Sequence, residues 1–172
     1  MRMALTQQLA RVSPEYLEQC RRTAAAAPDG DPQWDPPDED TLDLDWAIWG
    51  LIRFCGGSET DADHRDTLQR SIEGDAGGVE FLDHREVHDG FDAPPALHSP
   101  AAVAKLAEAL NTIDLHQTLT HLPQDAKEAA QACGFEWKDT HPRAYLTRHF
   151  TALRDFYNTA SQRNQAILTW VD

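Results

Sequence analysis

Apolar positions along the chain follow two rhythms, and each predicts a different element. Residues 3 to 12 are short and partly alternating, which predicts a strand. Arg11-Val12-Ser13-Pro14-Glu15 then marks a helix start, because the Ser13 hydroxyl can accept from a free first-turn amide and Pro14 suits the first helical position. That helix is predicted to run to about Ala26, where the alanines and Pro28 end it. Thr41-Leu42-Asp43-Leu44-Asp45 leads into Trp46, Ile48, Trp49, Leu51, Ile52, Phe54 and Cys55, which predicts a helix with acids at its positive end and Gly56-Gly57 as a left-handed stop. A helix so apolar on most faces is expected to be buried, and Trp46 and Trp49, three apart, read as core packing in preference to an aromatic box.

Residues 56 to 98 hold most of the remaining glycines and two short apolar pieces, Val79 to Leu82 and Ala96 to Leu97, so two or three short strands with long connections are predicted. Ser99-Pro100 repeats the helix start, and Val103, Leu106, Ala107 and Leu110 follow at helical spacing. Short helices are predicted over Asp114 to His121 and Gln124 to Ala132, with Gly134 as a stop. Tyr145, Leu146, Phe150, Leu153, Phe156 and Tyr157 form the clearest amphipathic stripe, on a helix from about Arg143 to Ser161, and Ala166 to Val171 reads as a terminal strand. Strands at both ends with long helices between them predict an α/β fold, a short-stranded sheet covered by helices on both faces. At 172 residues, one domain over 1–172 is expected.

Charge changes this picture because it is unevenly placed. Residues 1 to 28 carry four arginines against two glutamates, and residues 94 to 172 carry seven bases against eight acids. The middle, Asp29 to Asp92, holds 19 acids and four arginines, so this third of the chain accounts for the whole net charge of −14. Nucleic acid is excluded as a partner, since its phosphates select for clustered Lys and Arg. Eight of the acids fall between Asp29 and Asp45 without a base, interleaved with Pro28, Pro32, Pro36 and Pro37, which predicts an acidic, Pro-rich surface loop at about 28–41. Two roles fit such a loop. One is a solvated face that confers solubility, the commoner role of a charge run. The other is a docking surface for a basic protein through Asp35, Asp38, Glu39 and Asp40.

Cys20, Cys55 and Cys133 stand in no metal or redox spacing and are expected to be buried free thiols in a reducing cytoplasm. The apolar stretch after Met3 fails at Thr6-Gln7-Gln8, so no signal-peptide core is expected. The longest apolar run, Trp46 to Ile52, is far short of the roughly 20 residues that span a bilayer, and no membrane association is expected.

The densest ionisable cluster is Asp83-His84-Arg85-Glu86-Val87-His88-Asp89. In a strand, His84, Glu86 and His88 would share a face and offer two nitrogens and one carboxylate to a metal ion, while a solvated polar loop is the blander reading. The spacing is not that of His-Glu-x-x-His metalloproteases. Asp61-x-Asp63-His64 lacks the glycine-rich cradle that phosphate transfer requires, and there is no Gly-x-Ser-x-Gly nucleophile elbow. His116, His121, His141 and His149 are scattered over predicted helices, with His149 expected to be partly buried. No cofactor is called for.

In chain order, Arg11-Val12-Ser13-Pro14-Glu15, Leu42-Asp43-Leu44-Asp45, Leu97-His98-Ser99-Pro100, Phe150-x-x-Leu153-Arg154-x-Phe156-Tyr157 and Ala166-x-Leu168-x-Trp170-Val171-Asp172 resemble the bacterial YfbM-like family, catalogued as a domain of unknown function. The resemblance covers nearly the whole chain and implies a single three-layer α/β sandwich, with no assigned activity. It also implies a Lys and one or two His in the helix after Leu-Asp-Leu-Asp. Here those places hold Trp46, Trp49 and Ile52, which sets this chain apart from any activity carried by that helix. The leading expectation is a non-enzymatic cytoplasmic interaction domain, of which an immunity or inhibitor role toward a cationic protein is one instance. The alternative is a small metal-dependent enzyme using His84, Glu86 and His88. A third option makes the Trp46–Phe54 helix an oligomer interface, and oligomeric state stays open.

Overall fold

A computed structural model describes residues 5–90, 93–137 and 140–172. At its centre are two six-residue strands from opposite ends of the chain, β1 (Gln7–Val12) and β4 (Ala166–Val171), paired antiparallel from Gln7↔Val171 to Val12↔Ala166. Two three-residue strands, β2 (Thr41–Asp43) and β3 (Ala96–His98), add on either side, giving the antiparallel order β2-β1-β4-β3. The first strand is shorter than the predicted 3 to 12: Leu5 and Thr6 lie outside it, and Met3 and Ala4 are outside the described residues.

Side-chain alternation divides the sheet into two unequal faces. Leu9 and Ile167 point into the main core, built by α2 (Ala47–Gly56), α3 (Ala62–Glu73), α4 (Pro100–Asn111) and the long α7 (Arg143–Gln162), with the short α5 (Leu115–Leu119) and α6 (Ala126–Ala132) packed at its edge. Leu168 points the other way, into a smaller cluster with Leu82, Val87, Trp34 and Leu17 of α1 (Pro14–Ala26). Helices therefore lie on both faces as expected, but one face carries a single helix completed by a loop and a 3-10 turn at Glu80–Leu82.

Predicted helix starts are present in detail. The Ser13 hydroxyl accepts from the Tyr16 amide at 3.1 Å and Ser99 from Ala102 at 3.2 Å, each followed by proline in the first turn. The α7 stripe buries Leu146, Phe150, Leu153, Phe156 and Tyr157, and the Tyr157 hydroxyl donates to the Ser71 carbonyl at 2.6 Å. Burial drives the Tyr157 pKa far up, so it stays a phenol.

Four expectations need correction. Helix α3 was not predicted, because Leu68 and Ile72 are its only large apolar side chains. It is held instead by contacts such as the Tyr157 bond to the carbonyl of its buried Ser71. Val79 to Leu82 forms a 3-10 turn, not a strand. Thr41–Asp43 is strand, so α2 begins only at Ala47 and has no acid in its first turn. Gly56 is still helical and Gly57 closes the helix at φ −80°, without left-handed geometry. All three cysteines are buried and free. No described helix is long and apolar enough to cross a membrane.

Candidate functional site

Residues 83–89 form neither a strand nor a helix but a turn, in which the Val87 and His88 amides both donate to the His84 carbonyl. His88 is buried, its side chain 3% exposed, and both ring nitrogens are used: Nδ1 accepts from the Gly90 amide at 3.1 Å, which leaves the Nε2 proton to donate to Asp83 Oδ1 at 2.8 Å. His84 Nδ1 accepts from the Glu86 amide. With no lone pair of His88 left for a cation, the turn does not converge His84, Glu86 and His88 as ligands. Among the described residues no group of three or more His, Cys, Asp or Glu is placed to hold a metal ion. Asp61 and Asp63 also part company, Asp61 being buried with its Oδ1 3.5 Å from His64 Nδ1 and Asp63 exposed. Burial raises the Cys55 thiol pKa to about 12 and that of Cys133 to about 11, so neither is an activated nucleophile.

The acidic loop has no helix or strand from Pro28 to Pro37, as its prolines require, but it closes in a 3-10 turn at Asp38–Asp40 and gives Thr41 to β2, and it is pinned. Trp34 turns inward between Tyr16, at 5.7 Å between ring centroids, and Trp170, at 6.5 Å. The Asp35 amide donates to the Tyr16 hydroxyl at 2.8 Å, and Asp29 and Asp31 each accept from an amide two residues on. Asp40 is fastened to Arg11 at 2.8 Å and reached by Arg163 at 3.5 Å, with its side chain 16% exposed. Arg11 in turn lies 4.7 Å over the Phe156 ring and donates to the Glu39 carbonyl. Of the four carboxylates expected to face a partner, Asp40 is thus spent inside the molecule. Asp35, Asp38 and Glu39 are exposed, with no described cation within ion-pair distance.

A third region was missed by sequence reasoning. Trp46 and Trp49 are both half-buried; Trp49 packs against the main core as expected while Trp46 does not, and with Gly50, Arg53, Cys133, Gly134, Phe135, Glu136 and Trp137 they line a groove of about 780 Å³. Both indole N–H groups are already satisfied, Trp46 by the Leu5 carbonyl at 2.7 Å and Trp49 by Gln7 Oε1 at 3.3 Å. Gln7 is itself buried and fixed by donating to Thr169 Oγ1 and the Trp170 carbonyl. Phe135 stacks on Trp137 at 4.5 Å, and Tyr145 meets Trp137 edge-on at 4.5 Å. The floor depends on glycine: a Cβ on Gly50 would stand 2.2 Å from the Phe135 ring, and Gly134, at φ +75°, is overlain by the Arg53 stem. Burial raises the Tyr145 pKa, reinforced by Asp45 beside it, while burial and Arg148 lower that of half-buried His149. Trp46 and Trp49 signalled this groove at helical spacing, and Phe135-x-Trp137 directly after a glycine stop supplied the other half.

Comparison with known proteins places this geometry in a lineage without assigning it an activity. No curated protein matches. Among solved structures the chain is similar to the protein of unknown function YfbM from Escherichia coli, at 14% identity and a TM-score of 0.58, over 97% of this chain and 99% of that one. At that identity the likeness shows the fold alone. A family model described as "Domain of unknown function (DUF1877)" matches residues 3–170, and the chain therefore belongs to the DUF1877 family.

Proposed function

We propose that this protein is a non-catalytic binding domain of the bacterial cytoplasm, whose acidic segment captures a basic partner protein. An inhibitor or immunity protein acting on a cationic target is one instance of that class. The observation that carries the reading is that the 28–41 loop is fastened by Trp34, Tyr16 and the Arg11–Asp40 pair while Asp35, Asp38 and Glu39 remain exposed. A loop needed only for solubility gains nothing from being held in one conformation. A loop that must meet another surface gains affinity, because the ordering cost falls before binding. The excess of acid over Asp29 to Asp92 adds long-range steering toward positive charge.

The test is titration of the purified protein with a Lys/Arg-rich peptide. Raising salt from about 50 to about 500 mM should weaken binding about tenfold or more. The triple variant Asp35→Asn, Asp38→Asn, Glu39→Gln should weaken it at low salt. Affinity that ignores both salt and the triple variant overturns the reading.

A further inference from the structure

We infer that the tryptophan groove between α2 and the 133–137 segment is the anchor site for that basic partner, taking one large apolar side chain from a segment flanked by Lys or Arg. This inference rests on the proposed function and adds to it the source of affinity. Exposed charge accelerates encounter and suppresses wrong partners, but interface energy concentrates in a few desolvated pockets, typically aromatic ones. The groove has that character. Trp46, Trp49, Phe135 and Trp137 provide apolar walls, and a volume of about 780 Å³ lies in the range of ligand-sized sites. With both α2 indole N–H groups bonded internally, what Trp46 and Trp49 offer an occupant is ring surface.

Two features point to a positively flanked occupant. The acidic stretch runs without interruption into α2, as Asp43-Leu44-Asp45-Trp46, and Asp45 stands beside Tyr145, whose ring meets the groove-lining Trp137 edge-on. Glu136 lines the groove, is exposed and has no cation within ion-pair distance among the described residues. Arg53, the one cation in the lining among the described residues, lies along Gly134 and has no described carboxylate at ion-pair distance. Its guanidinium is placed to donate to a partner carbonyl.

The experiment compares Lys/Arg-rich peptides carrying a central Trp, Phe or Leu with the same peptide carrying Ala, by calorimetry on the full chain. The best anchored peptide should bind at least about tenfold tighter than the Ala peptide. That ratio should fall to near one in Trp137→Ala and, independently, in Trp46→Ala, two variants from opposite walls, each verified as folded by circular dichroism. The triple loop variant should weaken all peptides while keeping the ratio. A ratio near one on the wild type, or one untouched by both wall variants in folded protein, overturns the anchor even if salt-sensitive binding persists. Salt-insensitive binding with an intact ratio overturns the charge reading instead. A dimer by light scattering that Trp49→Asp converts to monomer shows the groove to be covered by a second copy and also overturns the inference.

Discussion

The acidic loop and the aromatic groove use tryptophan in opposite ways. In the loop, Trp34 is turned inward against Tyr16 and Trp170 so that the carboxylates around it face water from a fixed backbone. In the groove, Trp46, Trp49 and Trp137 line an opening, and the charges of Arg53 and Glu136 stand among them. One arrangement spends aromatic area on order and displays charge; the other displays aromatic area. The two displays fall within one stretch of chain, Asp35 to Trp49, with charge shown by its first part and apolar area by its last.

Stability measurements distinguish the two regions. The largest expected effect is that of Trp34→Ala, about 3 kcal/mol, since it removes the ring that packs between Tyr16 and Trp170 against the smaller core cluster. Trp137→Ala, whose ring lines an open groove, should cost about 1 kcal/mol. Urea midpoints at constant slope would measure both, and equal losses would mean that the two regions do not differ as described.

Next in size is Gly50→Ala, at about 1–3 kcal/mol from overpacking, because the new methyl meets Phe135 at 2.2 Å. Phe135→Leu in the same chain should recover part of that loss. Independent, additive losses would show that Gly50 does not set the groove floor.

Within the loop, Asp40→Asn should cost about 1–2 kcal/mol by leaving the part-buried Arg11 without its carboxylate. Asp35→Asn, Asp38→Asn and Glu39→Gln should each stay within about 0.5 kcal/mol. That contrast separates the structural carboxylate from the displayed ones.

The smallest effect expected is on pH dependence. Burial lowers the pKa of His98, whose Nε2 accepts from the Gly74 amide, so the folded state holds it neutral. Below about pH 6.5 the unfolded chain takes up a proton at this position that the native chain refuses, and stability falls as pH falls. His98→Gln should flatten that part of the acid limb in denaturation curves taken from about pH 8 to about pH 5.

Much of this was legible in the chain itself. Ser13-Pro14 and Ser99-Pro100 placed two helices through capping chemistry, and the stripe from Tyr145 to Tyr157 placed a third through periodicity. Helix α3 was hidden because its stabilising partners, such as Tyr157, lie far away in sequence. Metal ligation by His84, Glu86 and His88 presupposed a strand, and the turn that forms there engages both nitrogens of His88. Trp46 and Trp49 were visible as a pair, but whether a helix face meets core or solvent is decided by its neighbours. Here the Phe135–Trp137 segment, more than 80 residues away, leaves that face half open.

The most direct test of the whole account is an NMR titration of the five indole N–H signals with a Trp-free, Leu-anchored Lys/Arg-rich peptide at low salt. Signals of Trp46, Trp49 and Trp137 should shift in a saturable manner while those of the inward-packed Trp34 and Trp170 stay in place, and high salt should reverse the change. Shifts confined to Trp34 and Trp170, or no shift at peptide concentrations that saturate binding, would contradict it.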